Sequence, residues 1–367
     1  MRGLYIHIPF CARKCQYCDF VSFSGMESSI DAYLDAVGVQ MRLYVGAAVD
    51  TVFIGGGTPS FLSVGQLQRL LDMVSDNFDI AADAEFTVEC NPDSISEEKA
   101  HLLLRGGVNR VSVGVQSFDD TELLAIGRIH NAETAYNAVT MLSRCGFSNI
   151  SIDLMASLPH QTAESFKKTL ERSVSLPIKH ISVYSLIIED GTPLKAKYES
   201  GEYELPDDDT DRELYAYTAR FLQKYGFSRY EISNYAMPHY ESRHNINYWD
   251  CGEYIGIGAA AHSYLDGARF ANTSDVARYI NGDFCGGDKE ILSENDKIGE
   301  FMMLGLRKTK GIDEAEFMRR FGKSIDDVFG VKIDRFVKLG VIKRSDGAIR
   351  LTDRGFDVAN TVLCEFI

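Results

Sequence analysis

The feature that most restricts how this chain folds is a repeat of form rather than of letters. Six times before residue 190 a short, β-branched, apolar run gives way to a polar or glycine-rich corner, then to a stretch whose apolar residues recur three or four apart. The runs are GLYIHIP (3–9), TVFIGGG (51–57), AEFTVECNP (84–92), RVSVGVQS (110–117), NISIDLMASLP (149–159) and HISVYSLIIE (180–189). Intervening stretches such as VGQLQRLLDMVSDNF and AESFKKTLERSVS predict amphipathic helices. Crossovers of that length make successive strands parallel and right-handed, so the sheet winds doubly or curls toward a barrel. Six units fall short of the usual eight-stranded closure. The expectation is an α/β fold on a partial, open-sided (β/α)6 barrel.

In a parallel barrel, chemistry gathers at the C-terminal ends of the strands. The odd residues of this sequence fall there. Cys11, Cys15 and Cys18 follow the first run, Gly55-Gly56-Gly57-Thr58-Pro59 the second, Glu89 and Asn91 end the third, Gln116 and Ser117 the fourth, and Asp153 lies in the fifth.

Three cysteines at spacings of four and three, with no fourth close by, constrain the metal chemistry. A cubane cluster needs a ligand at each of four irons, so three thiolates leave one iron open to an exchangeable ligand. A zinc site at C-x3-C-x2-C needs a further ligand such as His7. Free thiols are the remaining reading, although Arg13, Lys14 and Gln16 among them suit an exposed loop better than a core. The tight cluster, with Cys90, Cys145, Cys251, Cys285 and Cys364 scattered, favours metal binding over disulfides. No apolar run reaches membrane-spanning length and no signal-like segment opens the chain, which gives a cytoplasmic protein as the expectation.

A net charge of −15 argues against a nucleic-acid backbone as partner. The acidity is uneven: residues 289–367 hold 15 Lys/Arg against 14 Asp/Glu, where the whole chain holds 38 against 53. Within that segment DKIGEFMMLGLRKT, GIDEAEFMRRFG and IDRFVKLGVI predict three short helices, and IKRSDGAIRLT a hairpin turning at Asp346-Gly347. That order predicts a smaller winged-helix-like α+β domain. The expected organisation is a barrel over 1–199, a bridging and capping region over 200–288, and the winged-helix-like domain over 289–367.

The motif CARKCQYC, with GGGTP behind it, resembles the signature of radical S-adenosylmethionine proteins. The resemblance implies a 4Fe-4S cluster held by Cys11, Cys15 and Cys18, its open iron chelated by the amino and carboxylate groups of S-adenosylmethionine. YIHIPFC, VECNP, VGVQSF, GRIH and IDLMASLP are similar, in the same order, to segments of the coproporphyrinogen III dehydrogenase family. By that similarity Tyr5 stands near the sulfonium, Gly55, Gly56, Gly57 and Thr58 cradle the cofactor, Glu89 holds it, and Gln116, Arg128 and Asp153 line its ribose and carboxylate. Taken singly, such a carboxylate is as well read as a loop anchor and such an arginine as a solvated charge.

Two details choose a branch. The dehydrogenases carry a further cysteine two positions after the third, where this chain has Phe20, and HNINYWD (244–250) with YEISNYA (230–236) resembles the heme-chaperone branch known as HemW. That resemblance implies heme as a bound partner, an unidentified acceptor protein, and His244 as heme ligand. It leaves room for a homodimer and for peripheral association with a membrane. His244 is equally read as a hydrogen-bonded structural residue; Cys251 is a competing thiolate, and His239 and His262 are other imidazoles nearby. Two other functions stay open: radical oxidative decarboxylation of coproporphyrinogen III, and a radical enzyme acting on RNA or protein, the former disfavoured by Phe20 and RNA by the acidity.

Overall fold

A computed structural model describes the backbone of residues 1–367 and every side chain except that of Asp208. Strands β1 (Arg2–Ile8), β2 (Ala47–Gly56), β3 (Phe78–Cys90), β4 (Arg110–Gln116), β5 (Ile150–Ala156) and β6 (His180–Ser185) lie side by side in chain order, all parallel. These are the six runs read from the sequence; each strand ends before its run does, and β1, β2 and β3 also begin earlier, by one, four and six residues. The fifth run stops at Ala156 because Ser157 takes φ +62°, outside strand geometry.

Helices Ile30–Met41, Val64–Asn77, Glu97–Arg105, Ala132–Cys145 and Ala163–Val174 fill the crossovers. Four of them start where a polar side chain accepts a backbone N–H of the first turn: Ser63, Ser96, Asn131 and Thr162. Each strand alternates. Leu4, Ile6 and Ile8, then Val52 and Ile54, are wholly buried in the main apolar cluster, as helix residues such as Leu34, Leu67 and Leu142 are. The intervening positions, among them Glu89, Arg110, Ser112, Asp153 and Ser182, line a cavity on the other face.

The ring does not close. On the far side of β6, β7 (Ser228–Arg229) and β8 (Asn234–Ala236) add antiparallel; on the far side of β1, β9 (Glu253–Ile257) adds parallel, followed by antiparallel β10 (His262–Leu265), β11 (Ala268–Ala271) and β12 (Glu290–Ile291). The result is one twelve-stranded sheet. The middle of the chain therefore lengthens both edges of the six-stranded sheet. Even so, the loop after β1 and residues of β6 line the same cavity. Six flat strands would separate them by about 24 Å, so the sheet is strongly curled.

The last segment has its own core of Phe301, Met302, Phe317, Ile333 and Ile349, against which Tyr215, Ile232 and Cys251 also pack. Helices Glu294–Gly305, Glu314–Phe321 and Ile325–Lys338 accompany a small sheet of β13 (Ile312–Asp313), β14 (Ile342–Ser345) and β15 (Ala348–Leu351). Asp346 and Gly347 both take positive φ, as a two-residue hairpin turn demands. The third helix begins at Ile325, well before the expected IDRFVKLGVI, because Ser324 and Asp327 form a capping box there. Among the described residues no helix is long and apolar enough to cross a membrane.

Candidate functional site

The loop after β1 is pinned at several points. Cys11 N–H donates to Phe23 O at 2.9 Å, Phe23 N–H to Pro9 O at 2.8 Å, and Gln16 N–H to Ile126 O at 3.0 Å. So fixed, the loop turns Cys11, Cys15 and Cys18 onto one cavity of 480 Å³. Each sulfur has a polar neighbour: Thr58 Oγ1 donates to Cys11 at 3.3 Å, Arg128 Nη1 to Cys15 at 3.5 Å, and Ser22 Oγ lies 3.8 Å from Cys18. Burial pushes the thiols of Cys11 and Cys18 upward, so the thiolates become stable only when a cation neutralises them.

The arrangement suits a cluster better than a single ion. Among the described residues no three His, Cys, Asp or Glu groups converge as ligands of one metal. His7, the further ligand a zinc site would take, has both nitrogens engaged, by Tyr5 OH at 2.9 Å and Val21 O at 2.8 Å. In a cubane each thiolate takes a separate iron, and no such convergence is needed.

Opposite the cysteines stands the glycine corner, and its glycines first serve the protein itself. A Cβ at Gly55 would lie 2.6 Å from Glu89 Oε2, at Gly56 2.3 Å from His7 Nδ1, and at Gly57 2.8 Å from Ile8 O. Gly56 also takes φ +107°, a conformation side chains rarely tolerate. Of the three glycines that the resemblance gives to the cofactor, Gly56 and Gly57 line the cavity, and Gly55 leaves room for the Glu89 side chain.

The far wall carries the ionisable groups. Glu89 accepts Gly56 N–H at 3.0 Å, and burial, then the nearby Asp153, raises its pKa to about 7. Ser112 Oγ donates to Asp153 at 3.2 Å, and burial raises that carboxyl also. Arg128 bonds Asn91 Oδ1 at 2.8 Å as well as Cys15 and the Gly114 carbonyl, so one guanidinium ties β3, β4 and the cysteine loop together. Gln116, at φ +67° beside a bulge in the β4–β5 register, also faces this cavity.

The structure thus brings Cys11, Cys15, Cys18, Phe20, Gly56, Gly57, Thr58, Glu89, Gln116, Arg128 and Asp153 around one space. Tyr5 and His244 lie elsewhere. Both line a second cavity of 710 Å³, walled by Tyr248, Trp249, Tyr254 and Tyr264 and open to Arg269. The two cavities share Asp19, Phe20, Phe53, Gly56, Glu89 and Asn245.

Of the two readings the sequence left open for His244, the geometry described favours the hydrogen-bonded structural one. Its side chain is wholly buried, with Nδ1 2.9 Å from Thr51 Oγ1 and Nε2 2.8 Å from Tyr248 OH, and its ring stacks on Phe53 at 5.2 Å. Glu85 on β3 accepts the N–H groups of Arg243 and His244, each at 3.0 Å, anchoring the helix Arg243–Trp249 by its first turn. In this geometry His244 is a hydrogen-bonded core residue with no nitrogen to offer. Burial, then Arg110, lowers its pKa to about 3, so it stays neutral. Cys251, the competing ligand, packs on the C-terminal core, and burial raises its thiol to about 11.

Several site residues escaped the sequence reading: Arg110, Ser112, Ser182 and Tyr184. Arg110 is 2% exposed, and its Nε has no acceptor among the described residues. The signal was present. Parallel strands buried on both faces read as unbroken apolar runs, whereas RVSVGV, ISIDLM and HISVYS alternate with polar residues, the mark of a strand with one face on a polar interior.

Comparison with known proteins agrees with this geometry at two levels. The class comes first: residues 5–172 match the model of the Radical SAM superfamily and residues 292–358 that of the HemN C-terminal domain. The same fold is seen in coproporphyrinogen III oxidase (HemN) from Escherichia coli, with a TM-score of 0.87 at 24% identity over 100% of this chain and 89% of that one. Within the class the chain belongs to the HemW heme chaperone family. It is 39% identical to the heme chaperone HemW of Lactococcus lactis over 99% of this chain and 96% of that protein, and 38% identical to that of Bacillus subtilis over 100% and 99%. The Escherichia coli relative of the same name is 34% identical over 100% and 98%. Membership in the radical SAM class implies a 4Fe-4S cluster and S-adenosylmethionine, and the donor set around the first cavity fits both.

Proposed function

We propose that this protein binds heme in the second, aromatic cavity and passes it to an acceptor protein, with a 4Fe-4S cluster and S-adenosylmethionine in the adjoining first cavity. The observation that carries this reading is the shared wall: a space of 710 Å³ lined by Tyr248, Trp249, Tyr254 and Tyr264 adjoins the cysteine loop across Phe20, Phe53 and Glu89.

Cys11, Cys15 and Cys18 hold the cluster, whose open iron supplies a chelation point for the amino and carboxylate groups of S-adenosylmethionine. Around it Thr58 and Arg128 hold the sulfurs by hydrogen bonds, and Glu89 and Asp153 offer acceptors for ribose hydroxyls. The side chain of Phe20, 64% exposed, stands at the boundary of both cavities and brings apolar surface where the dehydrogenases bring a thiol. All eight cysteines are unpaired, which suits a reducing cytoplasm.

Two measurements test the proposal. Titration with hemin is expected to saturate at one heme per chain, and heme-loaded protein to surrender heme to an apo-acceptor. Incubation with coproporphyrinogen III, S-adenosylmethionine and a reductant is expected to leave the substrate intact; formation of protoporphyrinogen IX would replace this reading with the dehydrogenase.

A further inference from the structure

The hairpin β10–β11 sits beyond β9, on the wall of the aromatic cavity away from the helix Arg243–Trp249. Along β10, His262 and Tyr264 share a face, since Ser263 between them turns inward and takes the Gly256 N–H at 2.9 Å. Across the hairpin Arg269 pairs with Tyr264 in register, and its guanidinium lies 5.9 Å from the Tyr264 ring. A nitrogen donor, a flat ring and a cation thus fall on one strip, and all three line the same cavity.

Among the described residues three imidazoles line this cavity, those of His7, His244 and His262. His7 and His244 each have both ring nitrogens in hydrogen bonds. His262 is exposed, and neither of its nitrogens is bonded among the described residues. Its backbone is nevertheless held firmly. A Cβ at Gly256 would fall 2.0 Å from the His262 carbonyl oxygen, so β9 packs against that backbone, and Asn272 secures the preceding loop with 2.6 Å to Gly258 O.

We infer that His262, not His244, supplies the axial nitrogen to heme iron in the aromatic cavity, with Tyr264 against the porphyrin and Arg269 reaching a propionate. This inference rests on the reading of that cavity as a heme site. Neutral imidazole is a common proximal ligand to heme iron, and an imidazole already free needs no bond broken to bind. Arg269 is clamped by Glu300 through two contacts of 2.8 Å, with Tyr254 and Glu290 also beside it, which orients its fork on the cavity wall. His244 acts instead as a positioning residue, setting Tyr248 on the opposite wall through Nε2.

The test is resonance Raman spectroscopy of hemin bound to the full-length, cluster-reconstituted protein, excited in the Soret band so that only heme ligation is read. The wild type is expected to show imidazole ligation; His262→Ala is expected to lose it and regain it on adding free imidazole, while replacement of the exposed His239, outside the cavity, keeps it. Because His262 is exposed, its replacement leaves the core untouched. An imidazole signature that survives in His262→Ala overturns the assignment. Wild-type protein that binds no hemin overturns the reading of the cavity itself, and the assignment with it.

Discussion

Glu89 accepts the Gly56 N–H at 3.0 Å, and a Cβ at the neighbouring Gly55 would stand 2.6 Å from the same carboxylate oxygen. The corner after β2 and the end of β3 are thereby locked around one buried acid. An ordinary glutamate would be ionised at neutral pH, but this one titrates at about 7, through burial first and then Asp153.

Between the ordinary value of 4.5 and about 7, the folded chain holds a proton here that the unfolded chain releases. Stability therefore falls as pH rises through that window, and the loss is complete above it. Glu89→Gln is expected to stabilise the cofactor-free protein by about 2 kcal/mol near pH 8, less than full linkage because cavity water reaches the carboxylate, and to change little near pH 4.5. Melting temperatures at the two pH values provide the check; equal shifts at both would refute it.

Gly56→Ala is expected to cost about 2–4 kcal/mol, from the positive φ and from contact with the His7 ring. Urea unfolding of Gly56→Ala, His7→Ala and the double variant separates these causes. If the contact matters, the double variant costs less than the two singles together; simple additivity would leave backbone strain alone.

Replacing Cys11, Cys15 or Cys18 by Ala is expected to abolish the cluster, while Cys145→Ala, on a helix far from the cavity, retains about four irons per chain. Iron analysis after anaerobic reconstitution reads this directly. Full iron content in all three loop variants would remove the cluster from this site.

Tyr248→Phe leaves the buried Nε2 of His244 without its partner at a cost of about 1–3 kcal/mol. Since His244 stays neutral down to about pH 3, its ring resonances in the wild type are expected not to titrate between about pH 5 and 8. A midpoint in that range would contradict the burial described.

The β-branched runs made the six strands legible, because parallel pairing and helix burial both depend on local periodicity. The cysteine loop was legible for a related reason: its ligands are neighbours in sequence. The partners of His244 were not legible, because nothing local announces Thr51, which lies 193 residues away and takes up its Nδ1. Similarly, EYIGI looks like any short apolar run until it is seen beside β1, and its pairing depends on contacts some 250 residues apart.

That pairing also bears on how the chain is made. During synthesis β1 emerges first, and its edge toward β9 has no partner until residue 257 has left the ribosome. Through most of translation the cysteine loop is thus attached to a strand with one bare edge, a template for mispairing with other chains. Arg2 at its start and the half-buried Tyr5 between Leu4 and Ile6 are the less buried residues of an otherwise buried strand, and they leave that edge only partly guarded. The strand that carries the cysteine loop is sealed on both edges only once Glu253–Ile257 has paired with it.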